Sequence, residues 1–232
     1  MRLSILKTME ILDNIPFDIC LKDVVKRLKM SRKNPAIEKT ILDLLEGVKR
    51  IANPKALYKV SYIEGREGDS VKIDGTIFMS KILKINLENA ERVFPFIVTA
   101  GQELEGINKT KDDFMRVFCL DAIKEMILET AVRCLEEYLA KKFIPGKIAR
   151  MNPGSLNDWP VSQQKALFSV FGNVEELIGV RLTESFVMVP IKSVSGIFFP
   201  TEVDFKSCML CQRHSCSKRR AEYNPEMVKK YS

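Results

Sequence analysis

Three cysteines within nine residues, Cys208, Cys211 and Cys216, form the densest group of reactive side chains in this sequence, and its one histidine, His214, falls among them. In a reducing compartment this spacing points to metal or redox chemistry rather than to structural disulfides. Three thiolates and an imidazole could bind zinc, although a single residue between His214 and Cys216 is tight for one tetrahedral ion. Three thiolates could also hold an iron–sulfur cluster, with a fourth ligand from elsewhere. The plain alternative is three reduced thiols on a mobile tail.

Two further groups invite chemistry. Arg150 stands three residues before Pro153-Gly154, where a turn would present its guanidinium beside exposed backbone amides. A planar fork of donors suits a carboxylate well. The stretch RLTESFVMVPIKSVSGIFF, residues 181–199, is the most β-like of the chain, yet Thr183, Glu184 and Ser185, then Ser193 and Ser195, interrupt its alternation. Residues 181–189 and 193–199 are predicted to be adjacent strands, with Glu184 lining a cleft.

Absences narrow the field. With its one histidine inside the cysteine group, the chain lacks the base that a Ser-His-Asp or Cys-His hydrolase needs. Neither a G-x-x-x-x-G-K-[ST] phosphate loop nor a G-x-G-x-x-G fingerprint occurs. The acidic pairs Asp112-Asp113 and Glu136-Glu137 lie in helical sequence and read as solvated surface, and Trp159 reads as a packing anchor. The net charge of +7 comes from 37 basic residues against 30 acidic ones, and the compact basic runs KMSRKN and CSKRRAEY have no aromatic interleaving for base stacking. A nucleic-acid partner is therefore not expected, whereas an acidic protein partner would suit the charge. No apolar run approaches the ~18 residues of a membrane span, and Lys7, Glu10 and Asp13 break any signal-like core. The expected location is the cytoplasm, without a membrane partner.

The elements that must position these groups are legible as patterns. DICLKDVVKRLKM and PAIEKTILDLLEGVKRIA have helical spacing on either side of SRKNP. ALYKVSYIEG alternates as a strand, and DSVKIDGTIF suggests two short strands around Asp74-Gly75. RVFPFIVTAG reads as a buried strand. The longest helix is expected from Asp112 to about Phe143, with Phe114, Val117, Phe118, Ile123, Met126 and Ile127 facing a core. Cys20, Cys119 and Cys134 lie singly in apolar contexts and read as small buried hydrophobes. The order predicts an α+β fold: a largely antiparallel twisted sheet flanked by helices, with a short Cys-rich C-terminal tail. The expected division is a domain over 1–206, its N-terminal part helical to about residue 55, and a basic tail over 207–232.

RMNPGSLNDWPVSQQKALFSVFG followed by IGVRLTESFVMVPIKSVSG resembles the activation domain of cobalamin-dependent methionine synthase. That family carries an Arg-x-x-Pro-Gly-Tyr loop, a helix, and a Gly-x-x-Leu-Thr-Glu-Ser-x-x-Met-x-Pro-x-x-Ser-Val-Ser-Gly block. Gly179, Leu182, Thr183, Glu184, Ser185, Met188, Pro190, Ser193, Val194, Ser195 and Gly196 stand in those places. The family tyrosine is Ser155 here, and no acidic residue precedes the loop arginine as it does in the full-length enzymes. The resemblance, to a standalone relative of that domain, is strong from residue 150 and weaker upstream. The cysteine tail lies outside the pattern.

The resemblance implies S-adenosylmethionine as ligand, held by Arg150, Asn152, Pro153, Gly154 and Ser155 with Thr183, Glu184, Ser185, Ser193 and Ser195. It implies reductive methylation of an inactive Co(II) corrinoid, in which one electron from a separate donor protein gives Co(I) and Co(I) takes the sulfonium methyl group. No side-chain nucleophile is required. The chain has no cobalamin-binding or methyltransferase module of its own, so the corrinoid would come with a partner, a corrinoid protein or cobalamin-dependent methyltransferase. Because that chemistry needs an electron, an iron–sulfur cluster on Cys208, Cys211 and Cys216 is preferred to zinc. The alternatives are a non-catalytic corrinoid-protein partner and a regulatory protein with a metal-binding tail.

Overall fold

The axis of the sheet is strand β6 (Arg92–Thr99), seven of whose eight residues are buried. Such a strand needs cover on both faces and a neighbour on both edges. In the computed structural model, which describes residues 9–30, 33–107, 113–213, 215–216 and 218–231, it has both. One edge pairs with β2 (Lys55–Lys59) and, further along, β3 (Ser61–Glu67); the other pairs with β10 (Ser193–Thr201). Beyond β2 lies β1 (Met9–Leu12), and beyond β10 lies β7 (Lys147–Met151). Strands β4 (Ser70–Ile73) and β5 (Thr76–Met79) extend the β3 end as a hairpin. Asp74 and Gly75, both at positive φ, make its two-residue turn. Every described pairing is antiparallel.

Among the described residues the α-helices are α1 (Leu21–Arg27), α2 (Pro35–Ile51), α3 (Lys81–Asn86), α4 (Phe114–Phe143), α5 (Gln164–Ser169), α6 (Val174–Ile178) and α7 (Pro225–Tyr231). The SRKNP break becomes the start of α2, where the Asn34 side chain accepts from the Ala36 and Ile37 amides and Pro35 opens the first turn. Strand alternation sorts the core into two faces. Ala56, Tyr58, Phe94, Phe96, Val98 and Phe198 pack on Ala131, Val132, Leu135 and Leu139 of α4. Leu57, Ile97, Met151, Ile197 and Phe199 face Trp159, Leu167, Phe171 and Ile178. A third cluster joins α1, α2 and the first half of α4 through Val24, Ile41, Leu44, Leu120 and Ile123. The α+β fold with a largely antiparallel sheet is the one expected.

Several local expectations change. The N-terminal part is not wholly helical, because β1 lies ahead of α1 and pairs with β2. Phe114, Val117 and Phe118 are exposed on the first turns of α4, so its core-facing stripe begins at Cys119. Cys20 is exposed at the start of α1, its thiol donating to Asp23 Oδ2 at 2.9 Å. Parts of the segment after residue 206 pack on the rest of the chain. Leu210 and Met227 pack against the core, and buried Tyr231 donates to Asn86 Oδ1 at 2.7 Å.

Candidate ligand site

The stretch 181–199 is not a pair of adjacent strands. Arg181–Leu182 (β8) and Met188–Val189 (β9) pair with each other as a small separate hairpin, and only β10 joins the main sheet. The out-of-pattern polar residues explain why. The Thr183 amide donates to Val187 O and its hydroxyl accepts from the Val187 amide, while the Phe186 amide donates to Thr183 O. Phe186 takes a left-handed φ of 60° to close this loop. The Ser193 hydroxyl donates to Pro190 O at 2.8 Å and meets the Thr99 hydroxyl at 3.0 Å. Buried Gln164 spans the two pieces, its amide reaching Phe186 O and its carbonyl taking the Ser195 hydroxyl, both at 3.3 Å. Thr183, Ser193 and Ser195 therefore fasten the hairpin across the end of the sheet. Glu184 and Ser185 are left exposed at its tip, and Glu184 lines neither of two clefts of about 720 and 760 Å³ found elsewhere.

Arg150 also differs from its expected place. It is a residue of β7, not of a loop, and alternation sends Arg150 to the α4 side of the sheet while Ala149 and Met151 enter the opposite core. Its guanidinium lies over the Phe198 ring, 5.6 Å from the centroid, and donates to Glu136 Oε2 of α4 at 2.9 Å. Glu136 is thus a partner of the key arginine rather than simple solvated surface. Burial, then the charge of Arg220, pull the Arg150 guanidinium down to about 10, with Glu136 opposing them. One turn of strand later, Asn152 reaches across to Ser195 O at 2.7 Å. It can do so because Gly196 has no side chain: a Cβ there would sit 2.4 Å from Met151 O and 2.6 Å from Asn152 Nδ2. After Pro153, Gly154 at positive φ donates to Trp159 O at 2.7 Å, and Ser155 is exposed.

Glu136 is one member of an acidic series on α4. Asp121 holds Lys192, Glu125 holds Lys218, Glu129 holds Arg27 and Glu136 holds Arg150. Spacings of four, four and seven residues keep the four carboxylates on one stripe of the helix. Glu125 and Glu129 also line the cleft of about 720 Å³, together with Arg27, Phe118, Lys218 and Arg219. Sequence reasoning missed Glu136 because nothing local marks it; its partner comes from another element.

The cysteine segment is wound around an arginine. The Arg219 guanidinium donates to the carbonyls of Cys208, Cys211, Arg213 and Ala221 at 2.7–3.0 Å. Among the described residues no three of His, Cys, Asp and Glu come together as a metal site. The expected centre on Cys208, Cys211 and Cys216 is thus not formed in this conformation, and His214 lies outside the described residues. Burial works to raise the Cys208 thiol, but the Arg220 amide at 3.4 Å, the Arg220 charge and the Ala221 amide outweigh it and leave the thiol below its ordinary value.

The family model described as vitamin B12 dependent methionine synthase, activation domain, matches residues 149–215. Over those residues the chain is similar to that activation domain. The match covers Arg150, the 152–155 loop, the hairpin and β10, and it runs on through Cys208 and Cys211, which sequence reasoning had placed outside the pattern. A crystal structure titled as the MetH reactivation domain bound to AdoHcy shares the fold at 18% identity and a TM-score of 0.57, over 86% of this chain and 80% of that one. No curated protein matches the sequence. Among the described residues no helix is long and apolar enough to cross a membrane.

Proposed function

We propose that the chain binds S-adenosylmethionine and supports reductive methylation of an inactive Co(II) corrinoid carried by a separate corrinoid protein or methionine synthase. The observation that carries this reading is the match of residues 149–215 to the activation domain, with Arg150, Pro153 and Gly154 in their motif places. The residues present fit the amino-acid end of such a ligand. Arg150 offers a fork of donors to a carboxylate, and Glu136, partnered with it at 2.9 Å, offers an acceptor to an ammonium group. When bound, S-adenosylmethionine supplies an electrophilic methyl group, which a corrinoid reduced by one electron from a separate donor protein takes up, leaving S-adenosylhomocysteine.

The family residues divide by task. Arg150 is the group that would bind. Asn152, Thr183, Ser193 and Ser195 hold β10, the loop and the hairpin in register. Ser155, Glu184 and Ser185 are exposed and would contact ligand or partner. Protein groups here position the ligand and exclude water rather than attack it. A second reading, a corrinoid-protein partner that keeps the fold without the ligand, is favoured by the internal hydrogen bonds of those four residues. A metal centre on Cys208, Cys211 and Cys216 would need the loop around Arg219 to rearrange; iron, sulfide and zinc content after anaerobic purification tests it.

Calorimetric titration separates the first two readings. Under the leading one, S-adenosylmethionine binds the wild type, and Arg150→Ala weakens binding about 10- to 100-fold, as for a lost charge-assisted hydrogen bond. Absence of wild-type binding at millimolar ligand would leave the partner reading.

A further inference from the structure

The turn that carries the first two cysteines of the C-terminal group has the shape a disulfide needs. The Cys211 amide donates to Cys208 O at 3.3 Å. Leu210, just before Cys211, has φ −98° and ψ −6°, so residues 208–211 form a type I turn. Such a turn keeps its first and fourth Cα atoms within ~7 Å, and a disulfide spans about 4.4–6.8 Å between Cα atoms. In a turn this tight, side chains three residues apart eclipse, which puts both thiols on one side. Arg219 braces the frame by donating to the carbonyls of Cys208 and Cys211, at 2.9 and 2.8 Å. Both thiols are free and half-buried. The Arg220 amide donates to the Cys208 sulfur at 3.4 Å, where negative charge sits when that sulfur attacks. Among the described residues no three of His, Cys, Asp and Glu come together. Two-thiol chemistry therefore suits the segment as it is folded better than a three-ligand centre.

We propose that Cys208 and Cys211 are a redox-active dithiol, which a low-molecular-weight disulfide such as oxidised glutathione converts reversibly to an intramolecular disulfide. Cys208 gives its proton to solvent and its sulfur attacks one sulfur of the small disulfide. A bond forms between Cys208 and that sulfur, the original S–S bond breaks, and the first small thiolate leaves and takes up a proton. Cys211 then loses its proton to solvent and attacks Cys208 Sγ, expelling the second small thiolate, which is protonated in turn. Two protein thiols are oxidised and one small disulfide is reduced to two thiols. The backbone turn stays closed at both steps, whereas a metal centre on all three cysteines needs the loop around Arg219 to rearrange. Oxidation and such a centre exclude each other, because the disulfide consumes two of its three ligands. The S-adenosylmethionine reading uses none of these thiols, so the two stand or fall separately.

The test uses the full chain, purified anaerobically with its metal content measured. It is treated with oxidised glutathione, alkylated with iodoacetamide and digested with trypsin without reduction. Peptide 207–213, bounded by Lys206 and Arg213, should be two hydrogens lighter and unlabelled, while Cys216 is labelled. Dithiothreitol should restore labelling at Cys208 and Cys211. Cys216→Ser should behave as the wild type does. Cys211→Ser, its folding checked by thermal melting, should retain one glutathione on Cys208, because the resolving thiol is gone. Any of four results overturns the inference: a bond from Cys208 to Cys216, glutathione retained on the wild type, both thiols labelled as in untreated protein, or a bound metal that shields them.

Discussion

At the scale of single residues, the fold depends on a few charges whose partners come from distant parts of the chain. Glu10 of β1 accepts from Tyr58 of β2 at 2.5 Å and from Tyr138 and Lys142 of α4, both at 3.0 Å. The Tyr58 bond is the largest influence on its carboxyl; burial works upward, and the Lys142 and Tyr138 bonds add to the lowering, which leaves it below the ordinary 4.5. A depressed carboxylate contributes stability above its unfolded value and loses it as pH falls through the folded one. The melting temperature of wild type should therefore exceed that of Glu10→Gln at pH 7, and the gap should close as pH falls through the lowered folded value of Glu10; a gap independent of pH would refute the assignment. Cys208 gives a second readout. Its lowered thiol should be alkylated by iodoacetamide at pH 7 faster than Cys119 or Cys134, whose thiols burial pushes up. Equal labelling across the three would contradict the Arg220 contact. The role of Glu10 is not marked in the sequence, because its partners are 48 to 132 positions away. Arg150 was legible through its Pro-Gly neighbours, but not its direction, which depends on strand alternation that the short segment 147–151 does not reveal.

At the scale of elements, sequence patterns found β6, α2, α4 and the β4–β5 turn, where periodicity or turn chemistry is strong and local. They misplaced the exposed start of α4, since a run of Phe114, Val117 and Phe118 looks like core whether or not anything covers it. They also read residues 181–189 as one strand. Hydroxyls that seemed to interrupt a strand are what close the Thr183–Val187 loop and tie it to Gln164. The junction of β7 and β10 is the most sensitive point of this part of the structure. Gly196→Ala must push against Met151 O and displace Asn152 from Ser195 O. A cost of about 1–3 kcal/mol is expected for such overpacking, read as a lower urea midpoint at unchanged slope. An unaltered midpoint would mean that the strands separate easily there.

At the scale of the whole molecule, the cysteine-bearing segment belongs to the same body as the family-like domain. Tyr231, Met227 and Leu210 add to the core, and Lys218 holds α4. Truncation after Lys206 should lower the melting temperature by at least about 6 °C, because two or three buried side chains are worth several kcal/mol; an unchanged melt would make the segment a dispensable tail. A boundary at residue 206 looked natural in the sequence because composition changes there, and composition does not show what packs against what. The central claim is that the amino-acid end of S-adenosylmethionine is held at the Arg150–Glu136 pair. The most direct measurement is a crystal structure of the protein with S-adenosylhomocysteine. The account predicts the ligand carboxylate within hydrogen-bond distance of Arg150 and Glu136 turned to its ammonium group. Ligand bound elsewhere with the Arg150–Glu136 pair intact, or no ligand at millimolar concentration, would contradict it.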